Sequence, residues 1–218
     1  MCPRPVLIGA LLACLAGVVS ADTITYGVTV NTSSISGTAG SLDFQFNPGP
    51  LVTQAASLQI LSFASNGSLA GSPSLTGDVT GGPMPATLAF DNGTGFNDYF
   101  EGLTFGSILS FNVSLFGPAL SAPDGASTSG SVFAFGMFSD GAGTVPVLTS
   151  DTTDGFAFTV NVNLDGTTTV ANSSSQTTVA QATAAVPEPS TFSLIALATG
   201  VCLAFRSRRR RCRPVAIS

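Results

Sequence analysis

Apolar and polar residues alternate through most of the chain, and the alternation stops wherever glycine, asparagine, aspartate or proline cluster. In "ITYGVTV" Ile24, Tyr26, Val28 and Val30 fall on one face with Thr25 and Thr29 opposite. "ILSFNVSLF" sets Leu109, Phe111, Val113 and Leu115 against Ser110, Asn112 and Ser114, and "FAFTVNVN" aligns Phe156, Phe158, Val160 and Val162. A period of two is that of a strand with one face buried. Similar stretches predict strands at 42–46, 57–63, 87–90, 99–105, 132–138, 167–170 and 177–180. Between them "NPGP", "NGS", "GGP", "DNGTG", "SDGAG" and "LDGT" supply turn chemistry: left-handed backbone at Gly and Asn, a fixed φ at Pro, side-chain-to-backbone hydrogen bonds from Asp. About ten short strands joined this way, with no helical period among them, predict an all-β fold. The expected architecture is a single β-sandwich of jelly-roll type over residues 22–182. Residues 172–175 read as a turn before a last edge strand, and 183–185 as a linker.

Both ends break this pattern. "MCPRPVLIGALLACLAGVVSAD" places one charge, Arg4, before an apolar run from Val6 to Val19 and small residues ahead of Asp22. This is the layout of a secretory signal peptide, residues 1–21, with signal peptidase cutting between Ala21 and Asp22. The run is shorter than the roughly 20 residues that a membrane span needs, which argues against a retained anchor. At the other end a second apolar run, from Phe192 to Phe205, would make about 21 Å of helix at 1.5 Å per residue. Arg206, Arg208, Arg209, Arg210, Arg211 and Arg213 follow it and would hold that end on the cytoplasmic side, leaving the body outside. Pro187 and Pro189 keep the segment before it extended.

The order of these parts carries a resemblance. Val186, Pro187, Glu188, Pro189, Ser190 and Thr191, then a short apolar helix, then an arginine block, resemble the PEP-CTERM sorting signal that bacterial exosortases recognise and cleave. The resemblance covers 186–213 and leaves a tail at 214–218. It implies that Pro187, Glu188 and Pro189 are the recognition element, and that helix and arginines hold the substrate transiently in the inner membrane. A GPI-anchor signal also has a spacer and a greasy tail, but it ends on that tail, and a following arginine block fits it badly.

Charge narrows the function of what lies between. All seven basic residues are arginines at Arg4 or within 206–213, so residues 22–185 contain no Lys, Arg or His; of twelve Asp and Glu, only Glu188 lies outside that stretch. A purely anionic body repels phosphates, which excludes DNA and RNA as partners. Cys2, Cys14, Cys202 and Cys212 all fall in the ends, so the body has no disulfide framework. Most hydrolytic and transfer mechanisms need His, Lys, Cys or Arg as nucleophile, base or charge stabiliser, and the body is expected to be non-enzymatic.

Three chemistries remain open. Carboxylates alone suffice for glycoside hydrolysis, where Asp98 and Glu101 are the Glu-containing pair close in sequence; as a plain alternative both are solvated turn residues. "DNGTGFNDYFE" gathers Asp91, Asn92, Asn97, Asp98 and Glu101, oxygen donors of the type Ca²⁺ takes, although an EF-hand starting at Asp91 would have Gly102 at its twelfth position. A hairpin loop without a ligand explains the same residues, as Asx-turns explain Asp140 and Asp151–Gly155. Beyond that Ca²⁺, no cofactor is indicated. Sugar binding would need an aromatic platform, and with no Trp it falls to Tyr99 or a surface Phe. The five Asn-x-Ser/Thr triplets are expected by chance in so Ser/Thr-rich a chain. The expected function is that of an exported, exosortase-processed surface or matrix protein, structural or adhesive, linked through the resemblance to exopolysaccharide and biofilm. The alternatives are a carbohydrate- or Ca²⁺-binding adhesin module and a carboxylate-only glycosidase.

Overall fold

A computed structural model describes residues 23–182. The signal peptide with its Ala21/Asp22 junction, the linker at 183–185, the sorting segment at 186–213 and the tail at 214–218 lie outside the described residues. Within them the chain forms β1 (Ile24–Asn31), β2 (Ala39–Pro48), β3 (Ser57–Ser65), β4 (Ser68–Leu69), β5 (Ser74–Thr76), β6 (Val79–Gly81), β7 (Leu88–Asp91), β8 (Asp98–Thr104), β9 (Ile108–Phe116), β10 (Ser131–Phe138), β11 (Phe156–Val162), β12 (Thr168–Asn172) and β13 (Thr177–Gln181). Each stretch of alternating residues noted above is one of these strands. β4, β5 and β6 escape sequence reading because two or three residues cannot display a period. Among the described residues helix is confined to a 3-10 turn at Ser33–Ile35 and one α-turn, α1 (Pro118–Ser121), where Pro118 presets the helical φ. Among the described residues no helix is long and apolar enough to cross a membrane.

The strands build two antiparallel sheets. One has the order β13-β1-β9-β3-β7-β6, the other β12-β11-β10-β2-β8-β4, with β5 also against β8. The pairing is nested: β1 takes β9, β2 takes β8 and β3 takes β7, in alternate sheets. Strands β10–β12 then extend the β2 edge, and β13 closes the β1 edge.

Phenylalanines from both sheets meet in one core. The Phe111 ring on β9 lies 5.1 Å from Phe44 on β2, 5.0 Å from Phe135 on β10 and 6.4 Å from Phe158 on β11, all in the opposite sheet. Two bulges tune the faces. Between Leu61 and Ala64 an extra residue re-phases β3, with Ser62 at φ 54°, so that Phe63 turns inward and stacks 6.5 Å from Phe111. On β11, Phe158 faces Phe135 and Phe156 faces Gly136, which leaves Ala157 as the inserted residue. The sequence pattern puts Phe156 on the buried face; the bulge reverses the parity there, so Ala157 joins the core and Phe156 stays partly exposed.

Candidate functional site

Strand β8 carries two of the nominated carboxylates, and its pleat separates them. Tyr99, Glu101 and Leu103 turn to the buried interior, whereas Asp98 and Phe100 turn to the other face of the sheet. Residues three apart on a strand point opposite ways. The structure therefore does not bring Asp98 and Glu101 together, either as an acid–base pair or as joint ligands.

On the inner face Glu101 is fully buried. The Tyr99 hydroxyl donates to Glu101 Oε2 at 2.6 Å, the Gly71 amide donates to Oε1 at 2.9 Å, and the Met84 amide donates to the Tyr99 oxygen at 2.9 Å. Burial, and then the adjoining carboxylate, push the Tyr99 hydroxyl well above the usual phenol range. The chain ties the 66–87 segment, which contributes Gly71 and Met84, onto β8. Tyr99 has no exposed surface and cannot serve as a sugar platform; Phe96, 49% exposed, is the exposed phenylalanine beside it in sequence.

The other face holds a group that sequence reading missed. Alternation along β2 places Ser41, Asp43, Gln45 and Asn47 opposite the core residues Leu42, Phe44 and Phe46. In the β2–β8 register Asp98 faces Gln45 and Phe100 faces Asp43, so the two aspartates lie diagonally across the seam on the same face, each with a buried Oδ1 that has no hydrogen-bond partner. Gln45 Nε2 donates to Asp43 Oδ2 at 2.8 Å, and Asn47 Nδ2 donates to Gln45 Oε1 at 3.1 Å. Asp43 is only 8% exposed. Burial first, then Asp43, push the Asp98 carboxyl up to about 8, and burial also raises Asp43.

The remaining nominated residues bond to the protein's own groups. Asp91 Oδ1 accepts from Ser57 Oγ, and Asn92 Oδ1 accepts from the Ala56 amide while its Nδ2 donates to Gln54 O and Ser131 Oγ. Asn97, wholly buried, accepts from the Asp78 amide and the Thr94 hydroxyl through Oδ1 and donates to the Phe46 and Thr94 carbonyls through Nδ2. Among the described residues no three Asp, Glu, His or Cys side chains gather as a metal-ligand set. Asp124, Asp140, Asp151 and Asp165 each accept from amides two to four residues on. For Asp140 the Thr144 hydroxyl, ahead of the Thr144 amide, holds the carboxyl down at about 2.

A stability series separates the pinned residue from the surface one. Asn97→Ala strands the buried Phe46 carbonyl and leaves the part-buried Asp78 amide and Thr94 carbonyl without their partner; at about 1–3 kcal/mol for a buried group left unpaired, a loss of about 2–3 kcal/mol is expected. The control, Asp91→Ala on the surface, should stay within about 0.5 kcal/mol. Urea unfolding followed by tyrosine fluorescence measures both.

Against this geometry stand the comparisons with known proteins. Residues 185–211 match the PEP-CTERM protein-sorting motif. No curated protein and no solved structure matches the chain. A PEP-CTERM motif implies an exported protein that is held transiently at the membrane and has an exosortase as its processing partner.

Proposed function

We propose that this is a bacterial surface or extracellular-matrix protein with a structural or adhesive rather than catalytic role, associated with exopolysaccharide and biofilm. Its body is read as a single β-sandwich of jelly-roll type, a reading that the nested pairs β1–β9, β2–β8 and β3–β7 support. The observation that carries the functional reading is the sorting motif at 185–211 on a body without Lys, Arg, His or Cys. Such a body has no nucleophile–base pair of the usual kinds and no cation to meet developing negative charge. The pair nominated from the sequence is not available for joint catalysis, since Glu101 is sealed in the interior and Asp98 lies on the opposite face of β8.

The mature protein in this reading begins at Asp22, after signal peptidase, and ends near Val186–Pro189, after the exosortase. Intact mass of protein extracted from the cell surface or matrix tests it. The expected species lacks both apolar runs, and recovery outside the cell of chains retaining Arg208–Arg211 would overturn the reading. A polysaccharide screen of the purified body tests the non-catalytic half. No hydrolysis is expected, and cleavage that Asp98→Asn or Glu101→Gln abolishes would establish a glycosidase instead.

A further inference from the structure

We propose that Asp43 and Asp98 hold one proton between them and form a pH-sensitive closure of the β2–β8 seam, intact from acid to neutral pH and opened by mild alkali. The geometry is that of two carboxyl groups diagonally opposed across adjacent strands, with Oδ1 of each buried. If both were ionised, neither Oδ1 would have a donor and two negative charges would meet in a site with little water. A single shared proton supplies the missing donor to both and removes one charge.

The surroundings offer no other neutralisation. β2 flanks Asp43 with Ser41 and Gln45, β8 flanks Asp98 with Phe100, β10 sets Gly136 opposite Asp43, and β5 sets Thr76 opposite Asp98. The titratable residue that the neighbouring elements bring to this side is Asp140, whose carbonyl accepts from Ser41 Oγ and whose own carboxylate is negative and engaged with Thr144. Residues 22–185 contain no cationic side chain. A divalent metal is the competing occupant, but Ca²⁺ takes six to eight oxygens. Here the Gln45 amide turns its N–H, not its oxygen, toward Asp43, and Asp43 is too enclosed for several waters. The raised carboxyls of both residues agree with the proton.

The sign follows from linkage. The folded pair keeps its proton up to about pH 8, whereas an unfolded aspartate releases it near pH 4. The stability due to the pair is therefore fully present below about pH 4, declines as pH rises, and is exhausted above about pH 8. The experiment is calorimetric unfolding of the 22–185 body at pH 6 in buffers of different ionisation enthalpy, with Asp98→Asn beside the wild type. An asparagine amide can donate to Asp43 in place of the shared proton. Wild type should release about one more proton on unfolding than Asp98→Asn, and its melting temperature should fall more steeply between pH 5 and pH 9. Equal proton release in the two proteins overturns the proposal. So does a calcium-specific rise in melting temperature, at matched ionic strength, that Asp98→Asn abolishes, since a metal would then occupy the pair. Should Asp98→Asn fail to fold, the infrared band of a protonated carboxyl in folded wild type decides. Its presence at pH 6 and loss by pH 10 support the shared proton, and its absence at pH 6 overturns it.

Discussion

Phe111→Ala should destabilise the body by about 3–5 kcal/mol, the range for truncating a buried aromatic side chain. Against a typical domain stability of about 5–15 kcal/mol, that is a large share of the whole. Phe111 joins the two sheets: its ring contacts Phe44, Phe135 and Phe158 across the core and Phe63 from the β3 bulge. Removing it leaves a cavity lined by rigid rings on strands that cannot close in without breaking their ladders. It also leaves Phe63 without the ring on which it stacks. Phe111→Leu should recover part of the loss, and Phe96→Ala, at a half-exposed loop position, should change stability by no more than about 0.5 kcal/mol. A Phe111→Ala loss below about 1 kcal/mol in urea unfolding would mean that the sheets are not held together through this residue.

Replacing Pro187, Glu188 and Pro189 by alanines should abolish maturation while leaving the body folded. The three residues lie inside the stretch that matches the sorting motif and beyond the described residues 23–182. Alanine restores the amide hydrogens and the helical freedom that two prolines deny, and it removes the one carboxylate of the motif. The precursor should accumulate in the inner-membrane fraction with its arginine block attached, and the mature form should disappear from the cell surface. Unchanged processing of the triple variant would dissociate the motif from cleavage.

Much of the sheet structure is legible from alternation alone, because ten of the thirteen strands are long enough to bury one face and expose the other. What the pattern cannot supply is parity across a bulge. Nothing in "FAFTVNV" announces that Ala157 will be squeezed between two ladder positions and send Phe156 outward. The candidate site was less legible for a related reason. Asp98 and Glu101 look like partners because they are near in sequence, yet a strand places residues at an odd spacing on opposite faces. The strand expected at 99–105 starts one residue too late to include Asp98, whereas β8 begins at Asp98 itself. Tyr99 and Glu101, two apart, were the readable pair. Asp43 and Asp98 could not be matched in advance, since their meeting depends on the β2–β8 register, fixed by the packing of Leu42, Phe44 and Phe46 rather than by any local motif.

The pairing of the first strand sets a timetable for export. β1 is sandwiched between β9 and β13: Ile24 sits opposite Leu115, Val30 opposite Thr177, and the Ala182 amide donates to Thr25 O at 2.7 Å. A chain that crosses a membrane amino end first delivers β1 to the outside long before either neighbour, and sheets built from such distant contacts form slowly. The opening strand must wait with both edges bare until β9 has emerged, and with one edge bare until β13 follows it ahead of the sorting motif. Completion of the fold and arrival of the cleavage signal are thus consecutive events in one translocation, and a chaperone that shields bare strand edges would have the most to do during that interval.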